Sequence, residues 1–116
     1  MLSKEFRVRK QKDFDRVFGK KGSFFSEGFL ALKAAGNDLG CSRAGFIVSN
    51  KISKAAAKRN RIKRLMRESV RLRWDRIRPG FDMVFMARAD ISEMSFTDVD
   101  KAVDSLLKKS GLLIRK

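Results

Sequence analysis

The sequence predicts an α+β fold: a small two-layer α/β sandwich with element order α-β-β-α-β-α. Three observations predict it. Residues 55–76 run without proline or glycine and carry apolar side chains at helical spacing. Three apolar runs, at about 24–35, 44–49 and 81–88, are bordered by glycine- or proline-containing turns. An amphipathic segment at about 97–110 closes the chain. The length, 116 residues, fits one domain, with no internal repeat, linker or low-complexity segment.

Each element has its own justification. Residues 1–11 are basic and without period, which predicts an extended arm. Phe14, Val17 and Phe18 stand at i, i+3 and i+4, a short amphipathic helix that Gly19 to Gly22 ends. Residues 24–35 read as strand, with Gly28 as a bulge or bend where the region can split in two. Gly36 to Gly40 is a loop, and AGFIVS at 44–49 is the next strand, expected to pair antiparallel with the first. The long helix over 55–76 turns Ile62, Leu65, Met66 and Ser69 to a core, with Val70 and Leu72 flanking. Asn60, Arg64, Arg67 and Arg71 fall on the opposite side, within about 60° of one another. Pro79-Gly80 stops this helix, and FDMVFMAR at 81–88 reads as a buried strand. Ser95 caps the last helix with Asp98 at N3. Val99, Val103, Leu106 and Leu107 form its apolar stripe, Lys108 and Lys109 suit its C-terminal end, and Gly111 ends it. Trp74, Met83, Met86 and Met94 are expected to pack.

Charge narrows the function. Lys plus Arg number 28 against 13 acids, a net charge of +15. Such a charge repels itself in a compact state and is relieved by a polyanion, so nucleic acid is the first expected partner. An anionic membrane surface is the second, but no segment approaches the apolar length of a span, and the N-terminus turns charged by Lys4. A cytoplasmic protein is the simplest expectation. With no histidine and one cysteine, Cys41, an internal disulfide and a zinc site are excluded, and the commonest general base is missing. Catalysis by this chain alone is therefore not expected. Asp13, Asp15 and Asp82 are too scattered in sequence to argue for a metal site.

The charge concentrates in KRNRIKRLMR, residues 58–67. Residues 51–78 hold twelve Lys or Arg against two acids, Glu68 and Asp75. A basic helix face often has no role beyond solvation. Here too few acids are available for i,i+4 pairing, and the dominant cation on the stripe is arginine, whose planar fork suits phosphate. Asn60 supplies a neutral donor and acceptor for a base edge or sugar hydroxyl, or a hydrogen bond at the helix start.

Arg59-Asn60-Arg61-Ile62-Lys63-Arg64-Leu65-Met66-Arg67-Glu68 resembles the signature of the bacterial ribonuclease P protein component. Three further blocks resemble that family in the same order: residues 12–18 (KDFDRVF), 43–51 (RAGFIVSNK) and 80–88 (GFDMVFMAR). The resemblance implies a subunit of a ribonucleoprotein endoribonuclease that removes the 5′ leader of precursor tRNA. The catalyst would be an RNA subunit, with Mg2+ held mainly by that RNA. It also implies a left-handed βαβ crossover, against the usual hand. Carried onto this chain, the RNA-subunit-binding residues would be Arg59, Asn60, Arg61, Lys63, Arg64, Arg67 and Arg71. A leader-binding groove between the first helix and the sheet would use Phe14, Phe18, Lys51, Asn60 and Lys63, although phenylalanines at i and i+4 more often serve a core. A loop-borne metal surface is implied as well, with no residue of this chain assigned to it. Two departures stand out: Asn50 where the family commonly has a second lysine, and Leu32 where some relatives carry an aromatic.

Three other readings make distinct expectations. A non-catalytic RNA-binding module, of ribosomal or chaperone type, would not stimulate precursor cleavage. A DNA-binding regulator would prefer duplex DNA, but no helix-turn pattern precedes residue 58 and no zipper follows. A self-sufficient nuclease would cut alone with metal, against the missing histidine and scattered acids.

Overall fold

A computed structural model describes residues 6–114. Its helices are α1 (Gln11–Phe18), α2 (Ala56–Leu72) and α3 (Phe96–Lys109), and its strands β1 (Ser23–Glu27), β2 (Leu30–Gly36), β3 (Arg43–Ile47) and β4 (Phe81–Ala87). The first strand region is split in two at Gly28, which turns the chain with φ +55°. The part of the basic arm at residues 1–5 lies outside the described residues.

The four strands form one sheet in the order β1-β2-β4-β3. β2 pairs antiparallel with β1 (Leu32 opposite Phe25) and with β4 (Leu32 opposite Phe85). β3 does not pair antiparallel with the first strand region, as expected from sequence; it pairs parallel with β4, Phe46 opposite Phe85. The physical reason lies in β4. Met83, Val84 and Phe85 are all fully buried, so the strand has apolar demands on both faces and takes a central place. It separates β3 from β2, and α2 is the crossover that returns the chain parallel to β3.

α2 and α3 cover one face of the sheet. Ile62, Met66 and Val70 meet Val99, Val103, Leu106 and Leu107 over Leu30, Leu32, Met83 and Phe85. α1 lies on the other face, where Val17 packs with Ala35 and Val84, joined by Phe14, Ile47 and Met86. Leu32 thus points into the helical core, and its neighbour Lys33 faces α1.

Helix ends follow local chemistry. The Ser95 hydroxyl accepts the Asp98 N–H at 3.2 Å, and Gly111 leaves α3 with φ +73°. α2 ends at Leu72, earlier than the expected Arg76, and tightens into a 3-10 turn over Trp74–Arg76. That turn brings Trp74 against Phe6 (ring centroids 5.6 Å apart). Arg73, at the junction, grips both Asp100 oxygens at 2.5 and 2.9 Å. Leu72, expected to flank the apolar face, is instead 53% exposed.

Candidate nucleic-acid interface

The basic residues of α2 leave the helix in three directions. Lys63 and Arg67 face a cleft whose other walls come from residues 7–9, from Phe14 of α1 and from Ala44, Gly45 and Phe46 of β3. The cleft encloses about 240 Å³. Asn60, Arg64 and Arg71 point outward and are exposed; Arg71 is ion-paired with Glu68. On the far flank, the Arg61 Nε donates to the Ser92 carbonyl, and Arg61 and Arg64 border a shallower hollow with Leu65, Glu68 and Phe96. Arg59 donates from Nη1 to the Ser53 carbonyl at 2.9 Å.

Cations dominate the cleft. Arg7, Arg9, Lys63 and Arg67 line it, no acid does, and among the described residues none of the four is in an ion pair. The Arg67 guanidinium stands over the Phe46 ring, 5.6 Å from its centroid. Phe46 in turn stacks on Phe85 of the central strand at 5.6 Å and 15°. The Nε atoms of Arg7 and Arg67 are buried without a hydrogen-bond partner. Phe14 packs close against β3 because residue 45 is glycine: a Cβ there would sit 3.1 Å from Phe14 Cε1. An aromatic ring beside unpaired cations is a surface on which a base can stack while its phosphates meet arginine.

The sequence-derived site residues are redistributed accordingly. Arg67 and Lys63 share one cleft with Phe14, so residues assigned to the RNA-facing helix and to the groove meet in one place. Phe18 is not in that cleft; 40% exposed, it carries the Lys33 ammonium at 5.6 Å from its ring centroid. Lys51 is exposed in the turn after β3 and does not line the cleft. Arg7, Arg9, Gly45 and Phe46 were not singled out as cleft residues from sequence. The available signal was the alternation Arg7-Val8-Arg9, a strand-like period of two. Val8 is buried and its N–H donates to the Ala44 carbonyl at 3.0 Å, so the arginines on either side of it turn to the opposite side of the segment.

An ion cluster fixes α1 over the sheet. The Asp82 carboxylate, fully buried, accepts from Arg43 Nε (2.8 Å) and Nη2 (2.6 Å), from Asn37 Nδ2 (2.9 Å) and from Arg16 of α1. Burial pushes the Asp82 pKa up, but hydrogen bonds from Arg43 and Asn37 and the charges of Arg43 and Arg16 outweigh it and hold the carboxyl below its ordinary value. The adjoining cavity, about 460 Å³, is larger than the cleft and includes Lys10, Lys12, Arg16 and Arg43. Its arginines are neutralised by Asp13 and Asp82, which makes it a poorer seat for an anion than the cleft. Among the described residues no cluster of three metal-ligating side chains occurs, and no helix is long and apolar enough to cross a membrane.

Comparison with known proteins places this geometry in a family. The Ribonuclease P family profile matches residues 2–111. The ribonuclease P protein component of Clostridioides difficile strain 630 is 38% identical over 108 residues, covering 92% of this chain and 93% of that protein. Its counterpart from Caldanaerobacter subterraneus subsp. tengcongensis is 38% identical over 116 residues, covering 100% and 98%. Among solved structures, a Staphylococcus aureus RNase P protein mutant described as defective in mRNA degradation activity superposes with a TM-score of 0.86 at 27% identity, covering 95% of this chain and 92% of that one. The Thermotoga maritima RNase P protein, solved with 1-(4-fluorophenyl)-2-thiourea, gives 0.79 at 33% identity, covering 89% and 98%. With its sheet, its basic crossover helix and nearly its whole length matched, this chain belongs to the ribonuclease P protein family.

Proposed function

We propose that this chain is the protein subunit of ribonuclease P, binding both the catalytic RNA subunit and the 5′ leader of precursor tRNA. The holoenzyme removes the leader endonucleolytically and leaves the mature 5′ end. The outward side of α2, with Asn60, Arg64 and Arg71, and its far flank, with Arg61, meet the RNA subunit. The cleft of Phe14, Lys63 and Arg67 takes the single-stranded leader, with Phe18 and Lys33 extending it along α1. The chemistry belongs to the RNA subunit, with Mg2+ held mainly by RNA. This chain contributes affinity and alignment, in the cytoplasm, with neither DNA nor membrane as a partner.

The observation that carries this reading is the cleft itself: a half-buried phenylalanine beside four cations with no ion pair among the described residues. Stacking is indifferent to base identity and contributes roughly 1–3 kcal/mol per base, which suits leaders of many sequences.

Reconstitution tests it. The purified chain is mixed with a bacterial ribonuclease P RNA and a precursor tRNA at low Mg2+, with protein-only and RNA-only controls. Leader release that needs both components is expected. Tight RNA binding without stimulation would instead leave a non-catalytic RNA-binding module.

A further inference from the structure

Two arginines reach the cleft from segments far apart in sequence, and both are left short of a partner. We infer that Arg7 and Arg67 together seat one phosphate of a strand lying in the cleft, and so set its register. The inference rests on the proposed binding of a single strand there, and adds where that strand is held.

Arg7 and Arg67 line the same 240 Å³ cleft, and each keeps a buried Nε without a hydrogen-bond partner. Buried donors are nearly always satisfied, and an orphaned one on a cation is costly. An anionic acceptor between the two would relieve both, and the lining holds no carboxylate that could do so. Two such orphans among the described residues, in one cleft, fit a shared ligand better than two unrelated defects.

The Arg67 side chain and the Arg7 backbone are both anchored from behind. Arg67 rests on Phe46, which is stacked on Phe85 in the core. Arg7 sits in a parallel bridge with Ala44, one residue before the Val8 N–H that donates to the Ala44 carbonyl. Anchoring lowers the entropy lost when a ligand is gripped. Arginine suits the role because its planar fork takes two phosphate oxygens at once, where lysine offers a point charge.

A phosphate is the same in every nucleotide, so this seat leaves sequence unread. A phosphate held at one point still determines which nucleotide lies beside Phe14. The grip therefore falls on one linkage of the leader and not evenly along it.

The test uses the holoenzyme reconstituted with the full chain and a set of precursor tRNAs. Each carries a single uncharged methylphosphonate at a different leader linkage. With the unsubstituted protein, one linkage should lower affinity about tenfold more than its neighbours, the effect of losing one charge-assisted contact. Arg7→Ala should erase that difference and flatten the salt slope by about 0.7. Arg7→Lys should restore the salt slope but only part of the linkage effect, and Arg67→Lys should behave likewise. Equal losses at every linkage, or an Arg7→Ala loss shared by all substrates, would overturn the seat while precursor stays preferred over mature tRNA. If the unsubstituted holoenzyme shows no preference for precursor, the leader reading itself fails, and the seat with it.

Discussion

The guanidinium of Arg67 lies 5.6 Å from the centre of the Phe46 ring, and Phe46 is stacked on Phe85 of the central strand. A cation of the basic helix is thereby fixed to the core and aimed at the cleft that holds Phe14. The relationship joins the two halves of the proposed function, because the helix proposed to meet the RNA subunit also furnishes a wall of the proposed leader site.

Arg67→Ala should weaken precursor tRNA binding by the holoenzyme roughly tenfold and reduce its salt slope by about 0.7, one single-strand phosphate contact. Arg64→Ala, on the exposed side, should lower affinity for the RNA subunit and leave the precursor-to-mature ratio unchanged. Filter binding across a salt series reads both.

Phe14→Ala removes the stacking surface. The preference for precursor over mature tRNA should fall by about 1–3 kcal/mol, with RNA-subunit affinity kept. Parallel titrations with the two tRNAs supply the ratio.

Gly45→Ala should do the same more mildly. The added Cβ would lie 3.1–3.2 Å from two Phe14 ring atoms and 3.4 Å from Val8 Cβ, so the ring must move away from β3. Leader-dependent affinity should drop about threefold, with an unfolding free energy within about 1–2 kcal/mol of the parent. Equilibrium urea unfolding and the tRNA titrations check the two expectations separately.

Asp82→Asn should destabilise the fold by about 3 kcal/mol, by leaving Arg43 and Arg16 with only the longer pairing to Asp13. The loss is set at the low end for a broken buried pair because those side chains stay 19% and 29% exposed. The pH dependence has a definite sign. The folded Asp82 carboxyl has a pKa below its ordinary 3.8. Its stabilisation is therefore present above that value and is lost as pH falls through the folded pKa. The parent should lose stability on acidification below about pH 4, and Asp82→Asn should lose less over the same interval, as urea midpoints across pH would reveal.

The elements were legible because helical and strand periods are local properties. Ser95 and Asp98 mark the start of α3 as the sequence suggests, and Ile62, Met66 and Val70 declare the buried side of α2. Strand neighbours were not legible. Whether β3 meets β2 or β4 is a competition among distant segments, decided by β4 needing cover on both faces. Leu32 and Lys33 show the same limit at finer scale: the β1–β2 register decides which of them faces α1, and a one-residue slip would exchange them. The site was legible in part. Phe14, Lys63 and Arg67 could be named from spacing and resemblance, but that they share a cleft with Arg7 and Arg9 depends on four segments converging. The early end of α2 was hidden for a related reason, since Arg73 leaves the helix pattern to grip Asp100 on α3.

The proposed path of the leader runs between α1, β3 and α2. It is tested most directly by a precursor tRNA with one photoreactive base in its leader, bound to the reconstituted holoenzyme, cross-linked, and mapped by peptide mass. Adducts within residues 7–14, 43–47 or 63–67 are expected. Adducts confined to residues 88–96, on the opposite flank of α2, would contradict it.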